Sequence, residues 1–176
     1  MNASLPLWLL HPEHLQPFHN TECESLVKVW PSSILGLGFG LFVTKDVEEG
    51  EVVCVYTGVR TSYEPENWKY TVEADWSNPV TGVLEKCYLD ASSLNTASGR
   101  WVNDACDYEG VHSDYVTGRK NNINFKTRIE KHKHSTLDQW YIKMYAIVDI
   151  PAGSELFVRY GVDFWKRFRK EQNIMY

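Results

Sequence analysis

Short apolar runs, each followed by turn-forming residues, make up most of this chain between residues 26 and 160. Short runs rich in β-branched and aromatic side chains are typical of strands rather than helices. Such runs occur at 26–30, 41–43, 51–56, 70–72, 87–89, 140–150 and 154–160. The pattern predicts a mainly β domain assembled from several small sheets.

The two ends of the chain depart from this pattern. Residues 1–25 contain three prolines, which interrupt any helix, so we expect an irregular N-terminal extension there. Residues 163–172 place Phe164, Trp165 and Phe168 at helical spacing with basic residues opposite, which predicts one short helix. For Phe168, packing of the helix onto the core is the simpler interpretation.

Length and charge limit the possible functions. A chain of 176 residues has the size of one domain. Its formal net charge of -5 argues against direct binding of nucleic acid and favours a basic partner such as a lysine- and arginine-rich tail. The apolar run at 5–10 is short and lacks a basic leader, so we expect neither a signal peptide nor a membrane span.

Cysteine and histidine give no metal pattern. The four cysteines, at positions 23, 54, 87 and 106, form no CxxC pair, so we expect free thiols in a reducing compartment and no zinc site. The sequence KHKH at 131–134 alternates charge with histidine on a polar stretch, which is more typical of a solvated loop than of a metal site.

Four sequence blocks, taken in order, carry the information about function. The first is GLGFGLF at 36–42, in which missing side chains allow another group to approach the backbone closely. The second is VYTGVR at 55–60. Each by itself is equally well explained by an ordinary hairpin or, for Tyr56, by a core aromatic.

The remaining two blocks are longer. The third has two pieces, GRWVNDAC at 99–106 and NNINF at 121–125. The fourth is AIVDIPAGSELFVRYG at 146–161, which predicts a strand, a tight turn and a return strand that ends at Tyr160.

In this order the blocks resemble the SET-domain family of protein-lysine methyltransferases, including its PR-domain branch, over residues 26–165. The first is similar to the family's GxG turn, the second to YxG, the third to RFxNHSC and PNxxF/Y, and the fourth to AxxDIxxGEELxxxYG. The resemblance implies a mainly β SET-domain fold of several small sheets, with a threaded C-terminal pseudoknot and a short C-terminal helix.

The resemblance also implies an activity, which is methyl transfer from S-adenosylmethionine to a lysine amine. By position in the blocks, Tyr160 and Tyr56 match the catalytic tyrosines. Phe125, Val158 and Phe164 are expected to line the channel that receives the lysine. Phenylalanine at position 125, where the family has Tyr or Phe, implies room for more than one methyl group.

The cofactor side is implied in the same way, without a metal. The residues expected to bind S-adenosylmethionine are Gly38, Phe39, Gly40, Asn103, Asp104, Tyr160 and Trp165. The chain departs from the family pattern at two of its matched positions. Asp104 stands where the family has histidine, Asn121 stands where it has proline, and the spacer between the two pieces of the third block is longer than usual.

The resemblance divides the chain into an N-terminal extension at 1–25, a SET domain at 26–162 and a C-terminal helix at 163–176. No cysteine follows Cys106, so we do not expect this chain to carry the cysteine-rich segment that many family members have after the domain. We therefore expect the C-terminal helix to close the active site instead.

The expected partner is a protein or peptide with a target lysine, such as a histone tail or another basic segment, in the nucleus or cytoplasm. Direct binding to nucleic acid or membrane is not expected. A catalytically silent SET-like module that binds a protein partner is the alternative, favoured by Asp104 and the long spacer. A β-rich domain unrelated to the family is the third possibility.

Overall fold

The structure is a computed structural model that describes residues 25–34, 37–92, 97–105, 121–125, 130–131 and 139–171. Its strands and helix are β1 (Val27–Pro31), β2 (Phe39–Val43), β3 (Val52–Thr61), β4 (Thr71–Ser77), β5 (Leu84–Asp90), β6 (Ile123–Phe125), β7 (Glu130–Lys131), β8 (Gln139–Ala146) and α1 (Val162–Glu171). Short 3-10 helices span Trp68–Tyr70 and Ser98–Trp101. The predicted extension at 1–25 lies outside the described residues except for Ser25, as does the spacer at 106–120.

The strands form two antiparallel sheets, which agrees with the predicted mainly β architecture. β1 pairs with β2. The larger sheet has the order β4-β5-β3-β8-β6, and β7 also pairs with β8. The apolar faces of both sheets pack into one core, in which Leu41, Leu89 and Ile142 are almost fully buried. Among the described residues, no helix has the length and apolar character needed to cross a bilayer.

β3 is the central strand of the larger sheet, and its residues 53–58 are all buried. Such a strand, buried on both faces, carries the continuous apolar run that predicted it. The 3-10 helix at Ser98–Trp101 packs directly on this strand. At Gly99 a Cβ atom would lie 2.5 Å from the carbonyl oxygen of Val55, so only glycine permits this approach.

The predicted hairpin at 140–160 is wrong in one respect. β8 ends at Ala146, and the chain then leaves the sheet so that Ile150 can form a bridge with Val47. Residues 155–160 do not pair with β8 as a return strand, although their sequence is strand-like. Their backbone groups instead bond to three other parts of the chain, which the sequence pattern cannot specify.

We call residues 155–160 the closing segment. The N–H of Leu156 donates to the carbonyl of Leu41, and the N–H of Val158 donates to the carbonyl of Asn103. On its other side, the carbonyl of Phe157 accepts the N–H groups of Asn122 and Ile123. The closing segment thus lies between the two pieces of the third sequence block, which is the arrangement that the pseudoknot requires.

Asn122 holds the closing segment through its side chain as well. Its amide nitrogen donates to the carbonyl of Glu155 at 2.9 Å, and its amide oxygen accepts the N–H of Phe157 at 2.8 Å. A side-chain amide that uses its donor and acceptor on one backbone imitates a neighbouring strand. This explains why an asparagine occupies that position of the second piece.

Candidate active site

A cleft of about 310 Å³ lies beside the closing segment. Its lining includes all five residues for which the sequence predicted catalytic or channel positions, namely Tyr56, Phe125, Val158, Tyr160 and Phe164. They come from β3, from β6 and from the adjoining closing segment and α1, which are three regions far apart in sequence. Aromatic rings and an aliphatic side chain therefore form a mainly apolar cleft into which two tyrosines project.

Tyr56 projects from the buried strand β3 and is 6% exposed. Its hydroxyl donates to the carbonyl of Tyr70 at 2.6 Å, and its ring meets that of Phe125 edge to face at 6.1 Å. Burial, followed by the proximity of Tyr160, raises the pKa of Tyr56 far above its ordinary value. The hydroxyl therefore stays protonated and acts as a hydrogen-bonding group, not as a base.

Tyr160 ends the closing segment and is half-buried. Its hydroxyl donates to the carbonyl of Val102 at 2.6 Å. Burial, followed by the nearby Asp104 carboxylate, raises the pKa of Tyr160 as well. The ring is packed edge to face against Phe164 at 4.7 Å and stacked on Trp165 at 6.0 Å.

Asp104, which replaces the family's histidine, is 2% exposed and has a defined structural position. Its Oδ2 accepts the backbone N–H of Tyr160 at 2.8 Å and the indole N–H of Trp165 at 3.0 Å. The carboxylate thus connects the closing segment to α1. These two bonds account for Oδ2, and the cofactor contact that the sequence predicts for Asp104 stays a prediction.

The glycine turn contacts Asn103. The amide nitrogen of Asn103 donates to the carbonyl of Phe39 at 3.0 Å and to Oε1 of Glu155 at 3.1 Å. A Cβ atom on Gly40 would overlap the Glu155 carboxylate. Position 40 must therefore be glycine to leave room for the Glu155 side chain, whether or not a cofactor binds there. Gly38 has a φ of +74° and no atom within 4 Å of its missing Cβ.

Glu155 is a functional residue that the sequence reasoning missed. It is only 6% exposed. Its carboxylate accepts two hydrogen bonds of 2.7 Å from the loop before β2, one from Ser32 Oγ and one from the backbone N–H of Ser33. A buried carboxylate with several donors fixes the parts that it joins. The available signal was an acid inside the apolar run SELFV.

Helix α1 docks on the 3-10 helix that precedes β4, another contact that the sequence did not reveal. Trp68 donates its indole N–H to Glu171 at 2.6 Å and meets the ring of Phe164 at 5.0 Å. The guanidinium of Arg167 lies 4.3 Å from the Trp68 ring and pairs with Glu64 at 2.7 Å. Phe164, Arg167 and Glu171 lie at helical spacing, so these contacts hold one face of the helix.

The sequence reasoning also missed Arg100 and Tyr70. The guanidinium of Arg100 lies 4.6 Å from the Tyr70 ring, and both residues line the cleft. Within the part of the chain that the structure describes, no group of three or more metal-ligating side chains occurs. Apart from Lys131, the KHKH stretch lies outside the described residues.

Known proteins resemble this chain in sequence over most of its length. A sequence model described as SET domain matches residues 38–161. Histone-lysine N-methyltransferase EZH2 of Chaetomium thermophilum is 33% identical over 156 residues, which are 83% of this chain and 9% of that protein. The chain therefore spans about a tenth of the length of this curated relative.

Solved structures add a comparison of folds. The methyltransferase domain of human PR domain-containing protein 2 has a TM-score of 0.53 and 21% identity, over 84% of this chain and 82% of that chain. The Chaetomium thermophilum structure named ctPRC2 in an autoinhibited conformation bound to S-adenosylmethionine has a TM-score of 0.49 and 29% identity, over 84% of this chain and 17% of that chain. On the match to the SET domain model, which spans residues 38–161, the chain belongs to the SET-domain family.

Proposed function

We propose that this chain is a protein-lysine N-methyltransferase that uses S-adenosylmethionine. The observation that carries the proposal is the convergence of Tyr56, Phe125 and Tyr160 on one cleft, from three elements distant in sequence. Each buried tyrosine hydroxyl needs a hydrogen-bond partner, whereas a phenylalanine ring would pack without one. Packing alone therefore does not explain two tyrosines at the same cleft.

The cleft has the properties that amine methylation needs. A lysine amine must be neutral to act as a nucleophile, and at pH 7 deprotonation costs roughly 4–5 kcal/mol from its ordinary pKa. An apolar, aromatic surrounding lowers that cost because it disfavours the charged form. Tyr56 and Tyr160, both held protonated, supply hydroxyl oxygens that orient the amine without acting as bases. Holding the amine in line makes the transfer effectively unimolecular.

S-adenosylmethionine, when bound, supplies the methyl group on its sulfonium sulfur. Asn103 fits a role in holding it, because the hydrogen bonds of its side chain to other described residues use Nδ2 and leave Oδ1 for a donor such as the cofactor's ammonium group. The open space over Gly38 fits the same role. Gly40, Phe39, Asp104, Tyr160 and Trp165 complete the set that we assign to the cofactor side. We assign no metal to this site.

We further propose that the C-terminal helix at 163–176 closes the active site of a domain at 26–162. Phe164 of the helix lines the cleft, and Trp165 is bound to Asp104 next to Tyr160. A helix anchored on both sides of the cleft can exclude water from the reacting amine. Phe168 stacks on Phe164 at 6.2 Å, which supports the packing role expected for it.

The proposed substrate is a lysine in a histone or another protein, and the proposed location is the nucleus or cytoplasm. The relative from Chaetomium thermophilum is named a histone-lysine N-methyltransferase, which supports a histone as the first substrate to test.

Mass spectrometry of purified histones incubated with the chain and isotope-labelled S-adenosylmethionine tests the proposal. We expect labelled methyl-lysine, and no label with the Tyr160→Phe variant. Isothermal titration with the cofactor distinguishes the alternative, the catalytically silent module. If neither cofactor binding nor labelled product is found with folded protein, the proposed activity is wrong.

A further inference from the structure

The buried carboxylate of Glu155 is bound through both of its oxygens. Oε1 accepts the hydroxyl of Ser32 at 2.7 Å and Nδ2 of Asn103 at 3.1 Å. Oε2 accepts the backbone N–H of Ser33 at 2.7 Å and the Ser33 hydroxyl. Because a backbone donor cannot turn away, Oε2 has a fixed place beside Ser33. Oε1 therefore has a fixed place as well, and that place is next to Asn103.

This contact determines which way round the side-chain amide of Asn103 lies. One end of an asparagine amide carries two N–H donors, and the other end carries an acceptor oxygen. The two groups nearest to Nδ2 are the Glu155 carboxylate and the carbonyl of Phe39, at 3.1 and 3.0 Å. An ionised carboxylate and a carbonyl can only accept hydrogen bonds. The nitrogen must therefore face them, and Oδ1 lies at the opposite end of the amide.

The charge of Glu155 adds to this orientation. Glu155 is 6% exposed, so water screens its charge only weakly. Within the described part of the chain, its hydrogen-bond partners Ser32, Ser33 and Asn103 are all neutral. A buried negative charge with neutral partners favours a positive ligand nearby. A carboxylate that accepts from one end of an amide also polarises it, which makes the oxygen at the other end a stronger acceptor.

From this geometry we propose that Glu155 is a positioning residue that makes Asn103 present its oxygen to the ammonium group of the cofactor. The inference rests on the proposed function, because it takes S-adenosylmethionine as the ligand beside Asn103. It adds the residue that selects for the amino group. Glu155 acts through Asn103 and does not itself touch the cofactor. The site should therefore distinguish a ligand that has this amino group from an otherwise identical ligand that lacks it.

Isothermal titration of the parent chain with two ligands tests this selectivity. One ligand is S-adenosylhomocysteine, the product of methyl transfer, and the other has hydrogen in place of its amino group. A hydrogen bond to a charged group changes affinity by about tenfold or more. We therefore expect S-adenosylhomocysteine to bind at least about tenfold more tightly than the amino-free ligand. Equal affinities of the parent chain for the two ligands would overturn the inference.

The variant Glu155→Gln connects the selectivity to Glu155. The backbone N–H of Ser33 retains the glutamine oxygen, so the glutamine NH₂ group faces the NH₂ group of Asn103. Asn103 should then lose its fixed orientation, and the affinity ratio should fall to about two- or threefold, while the amino-free ligand binds nearly as before. Glu49→Gln, at an exposed position, makes the same change of net charge and should leave the ratio intact.

A double substitution separates positioning from a general loosening of the domain. Asn103→Ala removes the oxygen, so Glu155→Gln added to it should lower the affinity ratio no further. A purely structural role would weaken the binding of both ligands equally and leave the ratio of the Glu155→Gln variant unchanged, which would overturn the inference. Thermal unfolding shows whether each variant is folded.

The variant Glu155→Asp replaces the glutamine variant if that protein does not fold. It keeps the charge, but its side chain is one methylene too short to reach Ser33 and Asn103 together, so the affinity ratio should again fall. An unchanged ratio in this variant would overturn the inference.

The same titrations separate this inference from the proposed activity. A folded parent chain that binds neither ligand would contradict the proposed cofactor, and this inference with it. Binding of both ligands with equal affinity would overturn the inference alone and leave the proposed activity standing. A ratio that is high in the parent chain and low in Glu155→Gln supports the inference even if no methyl group is transferred.

Discussion

The closing segment and helix α1 follow each other in the chain, and both contribute to the cleft, but they are held differently. The closing segment is bound through its backbone, to Leu41 and Asn103 and to residues 122–123. Helix α1 is bound through side chains, by Trp165 on Asp104 and by Glu171 on Trp68. The closing segment is thus fixed mainly through its backbone, with the side chains of Glu155, Asn122 and Asp104 adding bonds, whereas α1 is fixed through particular side chains.

This difference separates two tasks. Backbone hydrogen bonds tolerate most substitutions within the segment that makes them, although the N–H of Tyr160 also needs the Asp104 carboxylate. Each side-chain contact of α1, in contrast, can be lost through one substitution. We therefore expect α1 to be more sensitive to a single substitution than the closing segment is.

The largest effect is expected when helix α1, which is bound through side chains, is removed. Truncation after Gly161 deletes α1 and should abolish methylation, because Phe164 and Trp165 no longer cover the cleft and Asp104 loses its indole donor. Peptide methylation and thermal unfolding measure activity and folding separately. Truncation after Glu171 is the matched control, which keeps the helix and should keep activity. Methylation by the shorter folded chain would show that another element closes the cleft.

A second test concerns Tyr160, at the end of the closing segment. Tyr160→Phe should retain the fold and cofactor binding but lower kcat by at least about a hundredfold, because the hydroxyl that orients the amine is gone. Tyr63→Phe, at a side chain that is 70% exposed, is the control and should behave like the parent chain. Near-parental turnover in Tyr160→Phe would reduce Tyr160 to a packing residue.

Asn103 binds the closing segment through its backbone carbonyl, and its side chain is assigned to the cofactor. A substitution at this position tests that assignment. Asn103→Ala should weaken the affinity for S-adenosylmethionine by about 1–3 kcal/mol, the usual cost of an unsatisfied polar partner. Calorimetric titration gives this number, and Asn67→Ala, at an exposed position, serves as the control. Unchanged affinity in a folded Asn103 variant would exclude this residue from the cofactor site.

A smaller effect is expected for the bond that joins the two parts. Trp165→Phe removes the donor to Asp104 and should lower the free energy of unfolding by about 1 kcal/mol, with a rise in KM as the helix loosens. Denaturant unfolding and steady-state kinetics provide both readouts. Trp30→Phe, at a side chain that is 55% exposed, should change neither. A loss of stability with unchanged KM would mean that the bond has no part in closure.

The smallest expected change concerns the product. Phe125 has no hydroxyl with which to hold a water molecule in the channel, so the space for further methyl groups stays open. We therefore expect two or three methyl groups on the lysine. In Phe125→Tyr a hydroxyl can hold an amine or a water where a further methyl would go, and the product should shift toward monomethyl-lysine at nearly unchanged cofactor affinity. Intact-mass analysis of the peptide product decides this. A parental product that stops at one methyl contradicts the placement of Phe125.

Local patterns predicted the elements well and their connections poorly. The strand-like runs around 26–30, 41–43, 51–56, 70–72 and 87–89 all lie at least partly in strands, and the helix predicted at 163–172 spans Val162–Glu171. The run at 154–160 failed as a strand because its backbone partners come from three places. Periodicity reports which faces are apolar, but not which distant backbone supplies a hydrogen bond.

The candidate site shows the same limit. The resemblance selected Tyr56, Phe125, Val158 and Tyr160 within its blocks, and Phe164 came from the helix expected to close the site. The structure brings all five together around one cleft. Glu155 and Trp68 were missed because their partners, Ser32 and Glu171, are more than a hundred residues away in sequence. Asp104 was noticed as a departure from the family pattern. Its bond to Trp165 needed a structure, because nothing in the sequence links position 104 to the last helix.

The position of the closing segment between Asn103 and Asn122 has a consequence for how the domain comes into being. During synthesis, residues 103 and 122 leave the ribosome well before residues 155–160, which must occupy the gap between them. Until then the carbonyl of Asn103 and the N–H groups at 122–123 have no partner from that segment. Long-range pairings of this kind form late and slow folding. Nascent chains of this domain should therefore depend on protection against aggregation until residues 155–160 have been synthesised.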